Sequence, residues 1–142
     1  MITEQDIEEA MTASHGTENW YSREPFKALV YTDGVMFAQS KLGLSWLVDM
    51  VGTYTPDILQ DFQTSGESFY TVKLKVNEDH TAMFTITREV YVKEELSGAY
   101  EDFVVAEQKI EYADLPQCEL TFFLELLTTQ PVTFCLLCPS EH

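Results

Sequence analysis

The sequence predicts an α+β fold, an antiparallel meander sheet of about five strands packed against two or three helices. Three observations predict it. Apolar residues recur at helical spacing in stretches between Thr3 and Phe62. They alternate with polar residues from Phe69 to Thr87, and three further β-prone runs follow up to Leu137. The chain has 142 residues, of which 45% are hydrophobic and 23% charged, within the range of one domain over 1–142. Disordered and collagen-like classes are excluded by that composition.

The first element is a short helix from Thr3 to Met11. Thr3 is placed to cap it, and Asp6, Glu8 and Glu9 suit the positive end of its dipole. Its apolar stripe, Ile7, Ala10 and Met11, is narrow, so residues 1–14 read as an N-terminal helical extension of the domain. Gly16 then breaks the helix, Thr17 offers a new cap, and Trp20 and Tyr21 read as aromatic anchors. A strand ending at Thr32 meets Asp33-Gly34. That pair signals a β-hairpin between the flanking β-prone runs, with a tight strand-to-helix turn as the alternative.

From Ala38 to Val51 two apolar stripes, Leu44/Leu47/Val48/Val51 and Leu42/Trp46/Met50, predict one helix sunk in the core, with Gly43 as a weak point inside it. Asp49 is the single acid of that stretch, which predicts a solvent window or a hydrogen-bonded anchor. Thr55-Pro56 starts another helix, cap then first position, that Gly66 ends. Tyr70, Val72, Leu74 and Val76, then Ala82, Phe84 and Ile86, form the inward positions of an antiparallel hairpin turned at Asn77 to His80. Lys93 to Asp102 reads as a long surface loop, and strands follow at Val104–Tyr112, Glu119–Leu127 and Val132–Leu137. Phe123 and Leu127 make the later strands apolar on a second face, which calls for cover by helices or by another subunit.

Three cysteines, Cys118, Cys135 and Cys138, are an odd number that suits a reduced compartment better than a disulfide framework. Residues three apart in a strand point to opposite faces, so Cys135 and Cys138 diverge and are read as buried packing groups, with no metal or other cofactor assigned. Met1 to Asp6 has neither a basic nor an apolar leader character, and no run approaches the ~20 apolar residues of a membrane span. A cytoplasmic protein without a membrane partner is expected.

Asp and Glu number 24 against 8 Lys and Arg, a net charge of −16, and splitting the chain at residue 71 leaves −8 on each side. That balance repels phosphate backbones, so direct nucleic-acid binding is excluded as an expectation. His15, His80 and His142 have no partners at catalytic spacing, and phosphate-cradling glycine loops and paired-histidine metal motifs are missing. The chain is therefore read as a non-enzyme.

Four segments carry a resemblance: Gly16-Thr17-Glu18-Asn19-Trp20-Tyr21, Tyr31-Thr32-Asp33-Gly34-Val35, Trp46-Leu47-Val48-Asp49 and Cys138-Pro139-Ser140-Glu141-His142. In their order and spacing the chain resembles a family of small uncharacterised bacterial proteins, a domain of unknown function associated with mobile genetic elements. The resemblance implies a shared fold and such an origin, and brings no activity or cofactor. Residues 1–14 and the Lys93–Asp102 loop stand outside it. Trp20, Tyr21, Asp33 and Asp49 are its candidate shared site, each also readable as structural.

Together these observations predict a small acidic protein that works by protein-protein contact. The sharpest form of that expectation is an inhibitor that mimics nucleic acid and occupies the groove of a basic nucleic-acid-binding host protein, because complementary fields steer association. The contact residues chosen by expected exposure are Glu78, Asp79, Glu94, Glu95, Glu101 and Asp102. The alternatives are a homo-oligomeric structural module, a homodimer being compatible with either reading, and a small enzyme with an unrecognised site.

Overall fold

The computed structural model describes residues 1–16, 18–91 and 100–142. Among them the elements run α1 (Glu4–Thr12), β1 (Trp20–Arg23), β2 (Phe26–Thr32), α2 (Asp33–Leu42), α3 (Ser45–Thr53), α4 (Thr55–Ser65), β3 (Phe69–Val76), β4 (Ala82–Tyr91), β5 (Tyr100–Ile110), β6 (Cys118–Thr129) and β7 (Val132–Leu137), with a 3₁₀ turn at Pro139–Glu141. The α+β class holds. The sheet is larger than expected and mixed, with seven strands in the order β1-β2-β7-β6-β3-β4-β5. Only β3-β4-β5 is a meander. β6 returns to pair with β3, β7 pairs with β6, and β2 lies parallel to β7.

Local chemistry explains most boundaries. Thr3 caps α1 reciprocally, its hydroxyl accepting the Asp6 amide while the Asp6 carboxylate accepts the Thr3 amide. Asp33-Gly34 opens a helix and makes no hairpin. Thr32 accepts the Val35 amide as N-cap, and the acid of Asp33 favours the first turn of α2. The predicted single helix over 38–51 is two. Gly43 ends α2 in the left-handed region at φ 67°, and α3 restarts two residues later. In α4, Thr55 already belongs to the helix, and its hydroxyl donates to the Gly52 carbonyl while Pro56 occupies the first turn.

The alternation of β3, β4 and β6 places Val72, Leu74, Phe84, Ile86, Phe122 and Leu124 on one side, in one core with Leu47, Val51 and Ile58 of the helices. The opposite side carries Thr71, Lys73, Thr85, Thr121 and Phe123, all partly or fully exposed, so the helix layer covers one face of the sheet. β1, which the sequence reading missed, is four residues long and pairs on β2 at one edge. Residues 1–14 pack as part of the body. Ala10 is buried in the core, Ile7 and Met11 lie against it, and Glu9 pairs with Lys41 of α2 at 2.8 Å. Glu101 and Asp102, expected in a loop, are strand residues paired with Val90 and Glu89. The proposed Thr17 cap, Glu94 and Glu95 lie outside the described residues.

Candidate functional site

Three of the four motif segments, 16–21, 31–35 and 138–142, converge where the parallel pair β2 and β7 ends and α2 begins, while the fourth, Trp46 to Asp49, lies in α3 and is tied to Arg23 instead. The carboxyl ends of parallel strands are where α/β sheets form ligand crevices. Here that position is filled by the protein's own carboxylates. Asp33 accepts the backbone amides of Glu18 and Asn19 at 3.1 Å each and the Tyr21 hydroxyl at 2.9 Å. These bonds, the Glu18 amide foremost and then Tyr21, hold its carboxyl below the usual value of 3.8. The same contact pushes the Tyr21 phenol up, and the Tyr21 ring stacks on Tyr31 at 5.7 Å.

Glu141 does the equivalent for the far segment. Its carboxylate accepts the Thr32 hydroxyl at 2.6 Å, the Cys138 amide at 3.0 Å, the Gly34 amide at 3.1 Å and the Ser14 hydroxyl at 3.2 Å. A negative group on the amide of Gly34 is also matched to the dipole of α2. Ser140 next door donates to the carbonyls of Ser14 and Met11. Asp49 takes the anchoring fate: the Arg23 guanidinium holds it, and Arg23 also donates to Gln39 at 3.0 Å.

Asp33 and Asp49 thus serve as structural joints, and Trp20 alone of the four candidate family residues is largely exposed, at 54%. Burial pushes the Cys135 thiol up to about 12, against a smaller lowering from the Trp20 indole. His142 lies on the open sheet face, its ring 5.3 Å from those of Phe69 and Phe123 and its Nε2 3.7 Å from Glu125. His80 is tethered by Nδ1 to the Leu115 carbonyl at 2.9 Å. It lines a cavity of about 350 Å³ with Tyr112 and Asp114.

The acids chosen for partner contact do not gather. Glu78 and Asp79 are exposed in the β3–β4 turn, where Asp79 accepts the Thr81 hydroxyl and amide and is held low by them. Glu101 and Asp102 are exposed at the other end of the β4–β5 pair, about 30 Å away at the rise of a strand. Exposed carboxylates outnumber exposed ammonium groups about three to one among the described residues.

The sequence reading missed Glu141, which accepts four bonds at the junction. It also missed Asp61, which takes two bonds from Arg88 at 2.7 and 3.1 Å and one from Tyr70 at 2.8 Å. Thr-Asp-Gly read as a helix cap was the available signal for the first; the Asp61–Arg88 pairing spans 27 positions and has none. Among the described residues no group of three or more His, Cys, Asp or Glu is placed to hold a metal ion. No helix there is long and apolar enough to cross a membrane.

No curated protein and no solved structure matches the chain. The matching family model runs over residues 5–142, through α1 and the 93–102 segment as well as the four motifs. With three of its motif segments joined by Asp33 and Glu141 in one junction and the family model matched over almost its whole length, the chain belongs to the family described as Family of unknown function (DUF6876).

Proposed function

We propose that this protein is a non-catalytic binding protein whose partner is a basic, nucleic-acid-binding protein, and that it occupies the surface on which that partner holds a phosphate backbone. In the setting the resemblance implies, a bacterial mobile element acting in the cytoplasm, the partner belongs to the host. The observation that carries the reading is the excess of exposed carboxylates on a rigid frame. Four of the basic side chains, Arg23, Lys41, Lys73 and Arg88, are already paired with acids of the same chain. The surplus is therefore left to act on a second molecule.

The frame sets the scale. Glu78, in the β3–β4 turn, and Glu101, on β5, sit at opposite ends of β4 about 30 Å apart, a span of about nine phosphates along one nucleic-acid strand. A groove built to track a backbone would meet both ends. Attraction of this kind is long-ranged and screened by salt, with a Debye length of about 8 Å at physiological ionic strength.

The test is retention of proteins from nuclease-treated host lysate on the tagged wild type and on the Glu78→Lys/Glu101→Lys variant, at low and high salt. The expected result is a basic protein held at low salt, released at high salt and lost with the variant, whose nucleic-acid binding the wild type competes away. A partner kept equally well by the variant, or one indifferent to salt, overturns the proposal.

A further inference from the structure

We infer that two copies of this chain pair edge to edge through β5, extending the sheet across a two-fold axis between Val105 and Ala106. The two edges of the sheet differ. β1 closes one side with four residues, whereas β5 leaves eleven on the other with no strand against it among the described residues. A long open edge is a template for another strand. At its middle Phe103 and Val104 are exposed at 46% and 48%.

Charge then selects the occupant. Asp102 stands directly opposite Glu89 across the β4–β5 ladder, two like charges on one face, which is unfavourable for a cross-strand pair. Neither is in an ion pair among the described residues, and the same is true of Lys109 near the other end of β5. An edge strand bearing an uncompensated acid pair at one end and an uncompensated cation at the other is complementary to itself when antiparallel.

The bulge fixes the register. Ile86 pairs with Ala106 and Thr87 with Val104, so Val105 is the extra residue and the alternation changes phase there. Ala106 and Gln108 face the helices beyond it, Gln108 accepting the Tyr54 hydroxyl, and Phe103 faces them before it, beneath Arg88. Asp102, Val104, Glu107 and Lys109 take the open face. Antiparallel pairing about the point between Val105 and Ala106 matches these faces through the bulge. It sets Asp102 opposite Lys109 of the second copy, twice by symmetry, and Phe103 opposite Gln108. Sliding by two residues toward Tyr100 instead sets Asp102 against Glu107, acid on acid.

The full chain is tested by sedimentation equilibrium at about 0.15 M salt, over about 1–200 μM, beside Asp102→Lys, Lys109→Asp and the double swap. The expected result is a wild-type dimer, weakened about tenfold by each single change and restored to within about threefold by the swap. In parallel, the outward β5 amides of the wild type are expected to exchange more slowly at the concentrated end of the range, a readout that needs no variant. A monomer throughout, single variants without effect, a swap that fails to restore, or β5 exchange independent of concentration each overturns the pairing. In those cases the bulge and charges serve to keep the edge alone.

Discussion

The carboxylate of Glu141 lies so close over Gly34 that a Cβ there would collide with its Oε1, while Oε2 accepts the Gly34 amide at 3.1 Å. The close approach explains why glycine stands second in α2. It also ties the segment after β7 to the start of the helix after β2. Gly34→Ala is therefore expected to cost about 2 kcal/mol by displacing the carboxylate, and Glu141→Ala about 3 kcal/mol by orphaning the Thr32, Gly34 and Cys138 donors. Urea unfolding at pH 7 measures both. An unchanged midpoint in either variant would show that the junction does not bear on stability.

Asp33 gives the junction a pH dependence. Its folded carboxyl is held below 3.8 by the Glu18 amide and the Tyr21 hydroxyl. Its contribution is accordingly present above the unfolded value and lost as pH falls through the lower folded one. Asp6 and Asp79, held low by Thr3 and Thr81, add in the same sense. Asp33→Asn is expected to unfold at a lower denaturant midpoint than the wild type at neutral pH, with the gap closing below about pH 4. A gap independent of pH would assign the effect to packing.

The Asp61–Arg88 pair joins α4 to β4 with side chains only 10% and 13% exposed. Removing one member strands the other charge away from water. Asp61→Ala is expected to cost about 3 kcal/mol, Tyr70→Phe about 1 kcal/mol, and Asp61→Ala with Arg88→Ala less than the sum of the two single changes. Denaturant titrations of the four variants close the cycle, and additivity would contradict the coupling.

Gly43 holds φ 67° with nothing within 4 Å of where a Cβ would lie, so its penalty on substitution is conformational alone. Gly43→Ala should lower stability by about 1 kcal/mol and Gly43→Asn by less, since asparagine tolerates the left-handed region. Thermal melts followed by circular dichroism distinguish the three chains.

Much of the frame was legible in the sequence because its signals are local. The capping of α1 by Thr3, the β3–β4 hairpin and the bounds of β7 follow from neighbouring residues and the two periods of side-chain direction. Errors arose where one local signal had two solutions. Asp-Gly serves a hairpin or a helix start, and the choice fell to Thr32 with Glu141 contributing from more than a hundred positions away. Gly43 in an apolar stretch serves as a tolerated weak point or as a stop, and the packing of α2 and α3 on the sheet made it a stop.

The sequence by itself determined the α+β class, the charge of −16 and the inward positions of the central strands, since composition and period need no third dimension. The tertiary structure alone decided that β2 joins β7 in parallel, that Asp33 and Glu141 gather three distant segments, and that Glu78 and Glu101 stand at opposite ends of β4. Those relations depend on which strand lies beside which, a choice made by burial of the whole core against the helix layer.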